Sequence, residues 1–393
     1  MNERALPLQG LKVIEFTHMV MGPAAGAVLA DLGADVVRVE PLGGDATRNL
    51  KGSGAGYFPM YNRGKKSICL DIKHPEGLTI ARRLIASRDV LIENFRPGTL
   101  DRLGLDYTSL SHENPGLIYC SEKGFLDGPY QHRTALDEVA QMMSGLAYMT
   151  GPPGRPLRAG SSVIDVAGGM FAVIAILAAL LERKNSGRGQ KLTSALFETS
   201  VYLIGQHMAQ KAVTGQAAAP MPVRVSAWAI YDVFKTSDDE QVFLGVVSDG
   251  LWQKFCEVFE LEALAEDARF ETNHQRVQAR PELLPQVSAV MARYSKAQLL
   301  AKLEHAGLPF APIGKPEEMF EDPHLLAGGG LADVRLPDGT ATRLPTLPIE
   351  MDGRRGSSAA SLARPGEHTD EVLRAAGFTA AEVEALTKKG VAA

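Results

Sequence analysis

Along the first half of the chain, short apolar runs alternate with segments of small or amphipathic character. Residues 11–16 (LKVIEF) read as a strand, 17–23 as a loop, and 24–32 as a small-residue helix stopped by Gly33, where glycine accepts a left-handed cap. Residues 35–40 (DVVRVE) form the next strand. The alternation repeats with a strand at 67–71, a helix at 75–87 and strands at 90–93 and 116–121. Apolar strands that alternate with helices predict an α/β architecture, a parallel sheet with helices on its faces. Residues 129–160 are richer in glycine and proline but hold a helical stretch at 137–149. Ser162, Val163 and Ile164 read as a strand end. They lead into 166–181 (VAGGMFAVIAILAALL), 16 residues without a charge. A membrane span needs about 20. With Asp165 on one side and Glu182, Arg183 and Lys184 on the other, the run predicts a buried core helix and no membrane partner.

The pattern changes near residue 215. Residues 214–222 (TGQAAAPMP) predict a linker. Beyond it, 229–235 and 241–247 predict a hairpin, and helices follow at 250–259, 281–294 and 296–306. Pro281 suits a first helical position, where its missing N–H is not needed. From Pro312 the chain is loop-rich with short strands, and it closes on a helix at 370–376.

Composition narrows the function. The 393 residues carry 41 basic and 46 acidic side chains, a formal charge of -5, so no overall field draws nucleic acid. Apolar residues at 45% and charged residues at 22% describe a globular chain and exclude a disordered one. Cys69, Cys120 and Cys256 are widely spaced and odd in number, which argues against a disulfide framework and for a reducing cytoplasm. Residues 1–10 lack the apolar core of a signal peptide.

The common motifs are missing. There is no GxxxxGK[ST], HExxH, CxxC or GxSxG, which leaves nucleoside-triphosphate loops, zinc sites and serine-hydrolase elbows unsupported. Gly52, Gly54 and Gly56 do not join a strand to a helix. The first β-α turn reads Gly22-Pro23-Ala24-Ala25-Gly26 rather than GxGxxG, although Glu40 ends the second strand where a dinucleotide-binding acid would stand. Asp165 is the most informative position. As an N-cap it would accept bonds from free helix N–H groups. As a nucleophile it would be kept ionised by the positive helix end, with Gly168 and Gly169 letting substrate approach and the N–H groups holding an oxyanion. Position alone leaves both readings open.

Several stretches in order resemble one family. They are residues 8–18 (LQGLKVIEFTH), Gly22-Pro23, 32–40 (LGADVVRVE), 44–48 (GDATR), 62–68 (NRGKKSI), 93–98 (ENFRPG), 186–190 (SGRGQ) and 366–373 (GEHTDEVL). Together they look like the class III CoA-transferases, the CaiB/BaiF family that includes formyl-CoA transferase and carnitine CoA-transferase. The resemblance implies a Rossmann-like large domain (1–215), an inserted smaller α+β domain (222–320), a carboxyl-terminal return to the large domain (321–393), and an interlocked homodimer. It makes Asp165 the nucleophile. It implies coenzyme A and acyl-CoA as substrates and no permanently bound cofactor. Arg102, Lys73 and Arg96 are then expected at the coenzyme phosphates. Asn94 and Phe95 are expected at its adenine or pantetheine, and His18, Val20 and Met21 along the loop before Gly22. Asp137 or Glu138 would match an acid that the family keeps near the site.

The sequence departs from formyl-CoA transferase where Val20 replaces a glutamine that helps hold oxalate, and where 221–228 (MPVRVSAW) replaces a tetraglycine loop. Bulkier, short dicarboxylic acyl groups are expected instead of oxalate and formate, with Arg224 pairing a second carboxylate. The related α-methylacyl-CoA racemases need a histidine where this chain has Leu136, and removing and returning a proton takes two positioned groups. A CoA-binding protein without catalysis would have no use for Asp165.

Overall fold

The computed structural model describes residues 5–224, 226–355 and 361–393. The first four residues of the amino-terminal segment read above, and Val225, lie outside them. The chain divides into two compact units, one of residues 1–222 with 323–393 and one of residues 223–322.

The first unit runs β1 (Lys12–Phe16), α1 (Met21–Asp31), β2 (Asp35–Glu40), α2 (Tyr57–Asn62), β3 (Lys66–Cys69), α3 (Pro75–Ala86), β4 (Val90–Glu93), α4 (Tyr107–Glu113), β5 (Ile118–Lys123), α5 (Asp137–Ser144), α6 (Leu146–Thr150), α7 (Val163–Ser186), β6 (Lys191–Ala195), α8 (Leu196–Leu203) and α9 (Gly205–Thr214). The six strands form one parallel sheet in the order β3-β2-β1-β4-β5-β6. Both faces are buried at the central strands β1 and β4, which is why these two read as mostly apolar runs. Ile14, Val37 and Leu91 pack with Ile80 and Leu84 of α3 on one face, while Val13, Val36 and Ile92 pack with Ala172 and Ile176 of α7 on the other. The strand order reverses between β1 and β4. Such a reversal opens a crevice beyond the carboxyl ends of the strands.

The second unit has β7 (Ile230–Lys235), β8 (Gln241–Val246), α10 (Asp249–Val258), α11 (Glu262–Ala265), α12 (Asn273–Gln278), α13 (Arg280–Met291), α14 (Lys296–Ala306) and β9 (Phe310–Pro312). Its three strands are antiparallel in the order β7-β8-β9. Trp252, Phe255, Phe270 and Leu283 fill its core. Pro281 is the second residue of α13, one place later than expected.

Residues 323–393 return to the first unit through α15 (Pro323–Ala327), the antiparallel ribbon β10 (Leu331–Arg335) and β11 (Ala341–Pro345), α16 (Thr369–Ala375) and α17 (Ala380–Lys388). Val372, Leu373, Val383 and Leu386 of the last two helices join the α3 face of the sheet. The sequence reading missed α17, although Thr379 and Glu382 form its capping box.

Three expectations are corrected. Residues 162–164 are no strand end: α7 starts at Val163 and runs for 24 residues. The 137–149 stretch is two helices, broken at Gly145, whose φ of 98 suits glycine. α7 is also not a wholly buried helix. One face packs on the sheet, but Met170, Ile174 and Leu181 are exposed, and so are Tyr202, Met208 and Val213 of the following helices.

α1 and α7 approach closely because small residues line their contact. A Cβ on Gly169 would lie 2.7 Å from the Met21 carbonyl oxygen, and one on Gly168 would meet the flexible Met21 side chain. Gly169→Leu is therefore expected to overpack this contact, costing ~1–3 kcal/mol as read by the urea midpoint. An unchanged midpoint would contradict the tight crossing.

Candidate active site

Loops at the carboxyl ends of β1 and β4 meet at the reversal of strand order. The His18 N–H donates to Asn94 Oδ1 at 2.9 Å, and Asn94 Nδ2 donates to the His18 carbonyl at 2.8 Å. The His18 ring stacks on Phe95 with centroids 5.8 Å apart. Burial pushes the His18 imidazole below its ordinary pKa, so it is neutral at neutral pH. A cavity of about 650 Å³ opens against these loops. Val20, Met21, Tyr57, Arg96, Glu122, Asp137, Arg158 and Asp165 line it as well.

Asp165 stands in the first turn of α7, whose N-cap is Ser162. It is therefore not the cap. Asp137, from the start of α5, caps the helix instead. Its Oδ2 accepts from the N–H of Ile164 at 2.8 Å and of Asp165 at 3.1 Å. Asp137 Oδ1 accepts from Gln141 Nε2 at 2.5 Å. The other first-turn amides are also engaged, Val163 by the Ser161 carbonyl and Val166 by the Ser162 carbonyl. The expected oxyanion-holding N–H groups of this helix are thus occupied. The Asp165 side chain is released into the cavity.

The expectation that the helix end keeps Asp165 ionised is also corrected. Its carboxyl is pushed up to about 7, first by burial, then by the Asp137 carboxylate, with Arg158 opposing. Around neutral pH it is poised between its two forms. In its ionised form a partly desolvated carboxylate of this kind is little stabilised by water, a setting in which a carboxylate can act as a nucleophile. Arg158 is held by Glu138, and Tyr61 feels the Asp165 charge.

A buried polar frame supports the loops from below. Arg38 bonds Glu15, Thr17 and Asp45, and Lys65 donates to both oxygens of Glu15 at 2.8 and 3.0 Å. Burial pushes the Lys65 ammonium down to about 8 despite Glu15. Arg48 bridges Glu40 to the Ala363 carbonyl, tying the carboxyl-terminal return to β2.

His18, Val20, Met21, Asn94, Phe95, Arg96, Asp137, Glu138 and Asp165 thus share one cavity. Lys73 and Arg102 lie on exposed surface outside it. Arg224 is half-buried and belongs to the second unit. Gly168 and Gly169 pack against α1 instead of admitting substrate, because their missing side chains serve the helix crossing. Asn94 and Asp137 line the cavity while their polar atoms also hold local structure, Asn94 with the His18 backbone and Asp137 with Gln141 and the start of α7. The sequence reading missed Tyr57, Glu122 and Arg158. Glu122 had a signal, a carboxylate at the end of a buried strand, but the predicted strand stopped one residue short of it.

The chain belongs to CoA-transferase family III, whose model matches residues 8–369. It is an enzyme of the CoA-transferase class. It is 37% identical to the succinate–glutarate CoA-transferase of Agrobacterium fabrum, over 95% of this chain and 96% of that one. It is 36% identical to an acetyl-CoA:oxalate CoA-transferase of Acetobacter aceti, over 88% and 90%. A CAIB/BAIF family protein from Brucella suis has a similar crystal structure, with a TM-score of 0.84 and 35% identity over 95% of this chain and all 100% of that one.

The Asp165 carboxyl ionises near 4 in an unfolded chain and at about 7 here. Between those values the folded protein binds more protons, so stability falls as pH rises through that window. Asp165→Asn removes this loss. The variant is expected to gain on the wild type between pH 4 and pH 8, by at most ~4 kcal/mol. Urea unfolding at both pH values measures it, and a constant difference would contradict the buried ionisation.

Proposed function

We propose that this chain moves coenzyme A between short dicarboxylic acids, with Asp165 as the nucleophile. The observation that carries the reading is the Asp165 carboxyl itself: freed from capping by Asp137, half-buried in the cavity, and ionising at about 7. The Asp165 carboxylate attacks the thioester carbonyl of the donor acyl-CoA and expels the CoA thiolate, forming an acyl-aspartyl anhydride. The thiolate attacks the aspartyl carbonyl, releasing the donor acid and leaving an aspartyl-CoA thioester. The acceptor carboxylate attacks that carbonyl and again expels the thiolate. The thiolate then takes the acceptor acyl group and regenerates Asp165. Covalent catalysis divides one hard exchange between carboxylates into easier steps. No step calls for a metal or a bound redox group.

Coenzyme A and acyl-CoA are substrates in this reading, held near the loops of His18, Val20, Met21 and Phe95. Arg96 serves the phosphates, and Lys73 and Arg102 extend that role over the surface. A succinate or glutarate type of acid is favoured by the relative from Agrobacterium fabrum, with Arg224 pairing the second carboxylate. A homodimer is supported by the apolar surface of Met170, Ile174, Leu181, Tyr202 and Val213, which a second copy would cover. The three cysteines, free and buried, suit a reducing cytoplasm.

Incubation with succinyl-CoA and glutarate tests the reading by mass spectrometry. Glutaryl-CoA is expected to form, and hydroxylamine is expected to trap Asp165 as its hydroxamate. Asp165→Ala should lower exchange at least ~10³-fold, the scale of losing a covalent nucleophile, and Arg224→Ala should raise the acceptor KM. Exchange that survives Asp165→Ala, or a label on another residue, would contradict Asp165 as nucleophile.

A further inference from the structure

The floor of the Asp165 cavity holds a second acid that the transfer steps do not use. Glu122 lies within β5 and lines the cavity, yet it is 2% exposed. Neither Oε1 nor Oε2 has a hydrogen-bond partner among the described residues. Glu122 Oε2 sits against the backbone of Gly22 at the start of α1, where a Cβ would come within 2.9 Å. An unpaired buried carboxylate is costly as an anion.

The groups facing Glu122 add to that cost. They are Glu15 from β1, Glu93 from β4, Asp165 from α7 and Lys65 from the turn before β3. Of these four, Lys65 is the cation, and its ammonium is already engaged by both Glu15 oxygens and by the Pro23 carbonyl at 2.8 Å. Arg38, next to Lys65, is committed to Glu15, Thr17 and Asp45. Lys123, the following residue in β5, is bound to Glu93 at 2.6 and 2.8 Å and to the Phe95 carbonyl. Burial and these acids push the Glu122 carboxyl well above the usual range.

We propose that Glu122 is a positioning residue for the transfer at Asp165: an uncharged carboxylic acid beneath the cavity that leaves room, electrostatically, for the Asp165 carboxylate and an incoming acceptor carboxylate to meet. This inference rests on the transferase reading of the cavity. Two acids whose surroundings separate their ionisations take different roles. Asp165 ionises and attacks. Glu122 stays neutral, so the floor adds no negative charge to a site that must admit an anionic nucleophile, an anionic acceptor and a thiolate.

The test is the pH profile of exchange, read as kcat and as KM for the acceptor, together with infrared spectra. The wild-type rate is expected to rise through about 7 as Asp165 ionises. It should then fall by about tenfold per pH unit at higher pH as Glu122 ionises and raises the acceptor KM. Glu122→Gln and Glu122→Met cannot ionise and are expected to lose the alkaline fall, while Glu122→Asp keeps it. In an Asp165→Asn background at pH 7, the protonated-carboxyl C=O stretch is expected to disappear when Glu122→Gln is added. An alkaline fall that persists in both neutral variants, or no such infrared band to lose, overturns the inference. If the infrared band is lost but no acid on a broad panel is exchanged, the proton on Glu122 stands and the transferase reading of the cavity, with the role drawn from it, is what fails.

Discussion

Two hydrogen bonds set the chemistry of this cavity: those from the N–H groups of Ile164 and Asp165 to one oxygen of Asp137. A helix that begins in a parallel α/β unit leaves its first amides without partners. Asp137 satisfies two of them from another helix. That removes Asp165's reason to fold back as a cap and leaves its carboxylate facing the cavity. Burial lifts the Asp165 carboxyl to about 7, and the negative charge of the same Asp137 carboxylate adds to that lift. Capping of α7 and part of the upward shift of the Asp165 carboxyl come from the same residue.

The sheet explains why this happens where it does. Strand order reverses between β1 and β4, and the loops leaving them are clasped by the reciprocal His18–Asn94 bonds. α1 leaves from one of these loops, and its small residues let α7 cross close behind it. The cavity is thereby bounded by elements whose own packing is tight, which suits the proposed reaction, in which one carboxylate meets several partners in turn. The buried ion pairs of Arg38 and Lys65 stand beneath this arrangement. The hydrogen bonds of these two cations go to Glu15, Thr17, Asp45 and the Pro23 carbonyl.

Much of this was legible in the sequence where local rules decide. The strand at 90–93 and the helix at 296–306 have the bounds read from them, one a run of three apolar residues closed by Glu93 and the other opened by the Ser295 capping box. Asp165 was legible as a site from its place before an apolar helix and from the family resemblance. Its setting was not. Val163 and Ile164 have the β-branched look of a strand, and the group that caps the helix they open is Asp137, 28 residues away for the Asp165 bond. The family resemblance puts Asn94 at the coenzyme, and the place of Gly168 and Gly169 beside Asp165 suggests room for substrate. Their tertiary partners, a loop backbone and α1, are invisible to a linear pattern. The apolar run read as core turned out half exposed for a related reason: composition reports how apolar a helix is, not what covers its second face.

The account turns on Asp137 acting on Asp165 through its charge while holding the helix through its oxygen. Asp137→Asn keeps an oxygen for the two amides and removes the charge. The most direct measurement is the pH dependence of hydroxylamine-trapped label on Asp165 in the wild type and in this variant, with an acyl-CoA donor present. The account predicts a wild-type midpoint at about 7 and a clearly lower midpoint in Asp137→Asn, with the label still on Asp165. An unshifted midpoint, or label on a different residue, would contradict it.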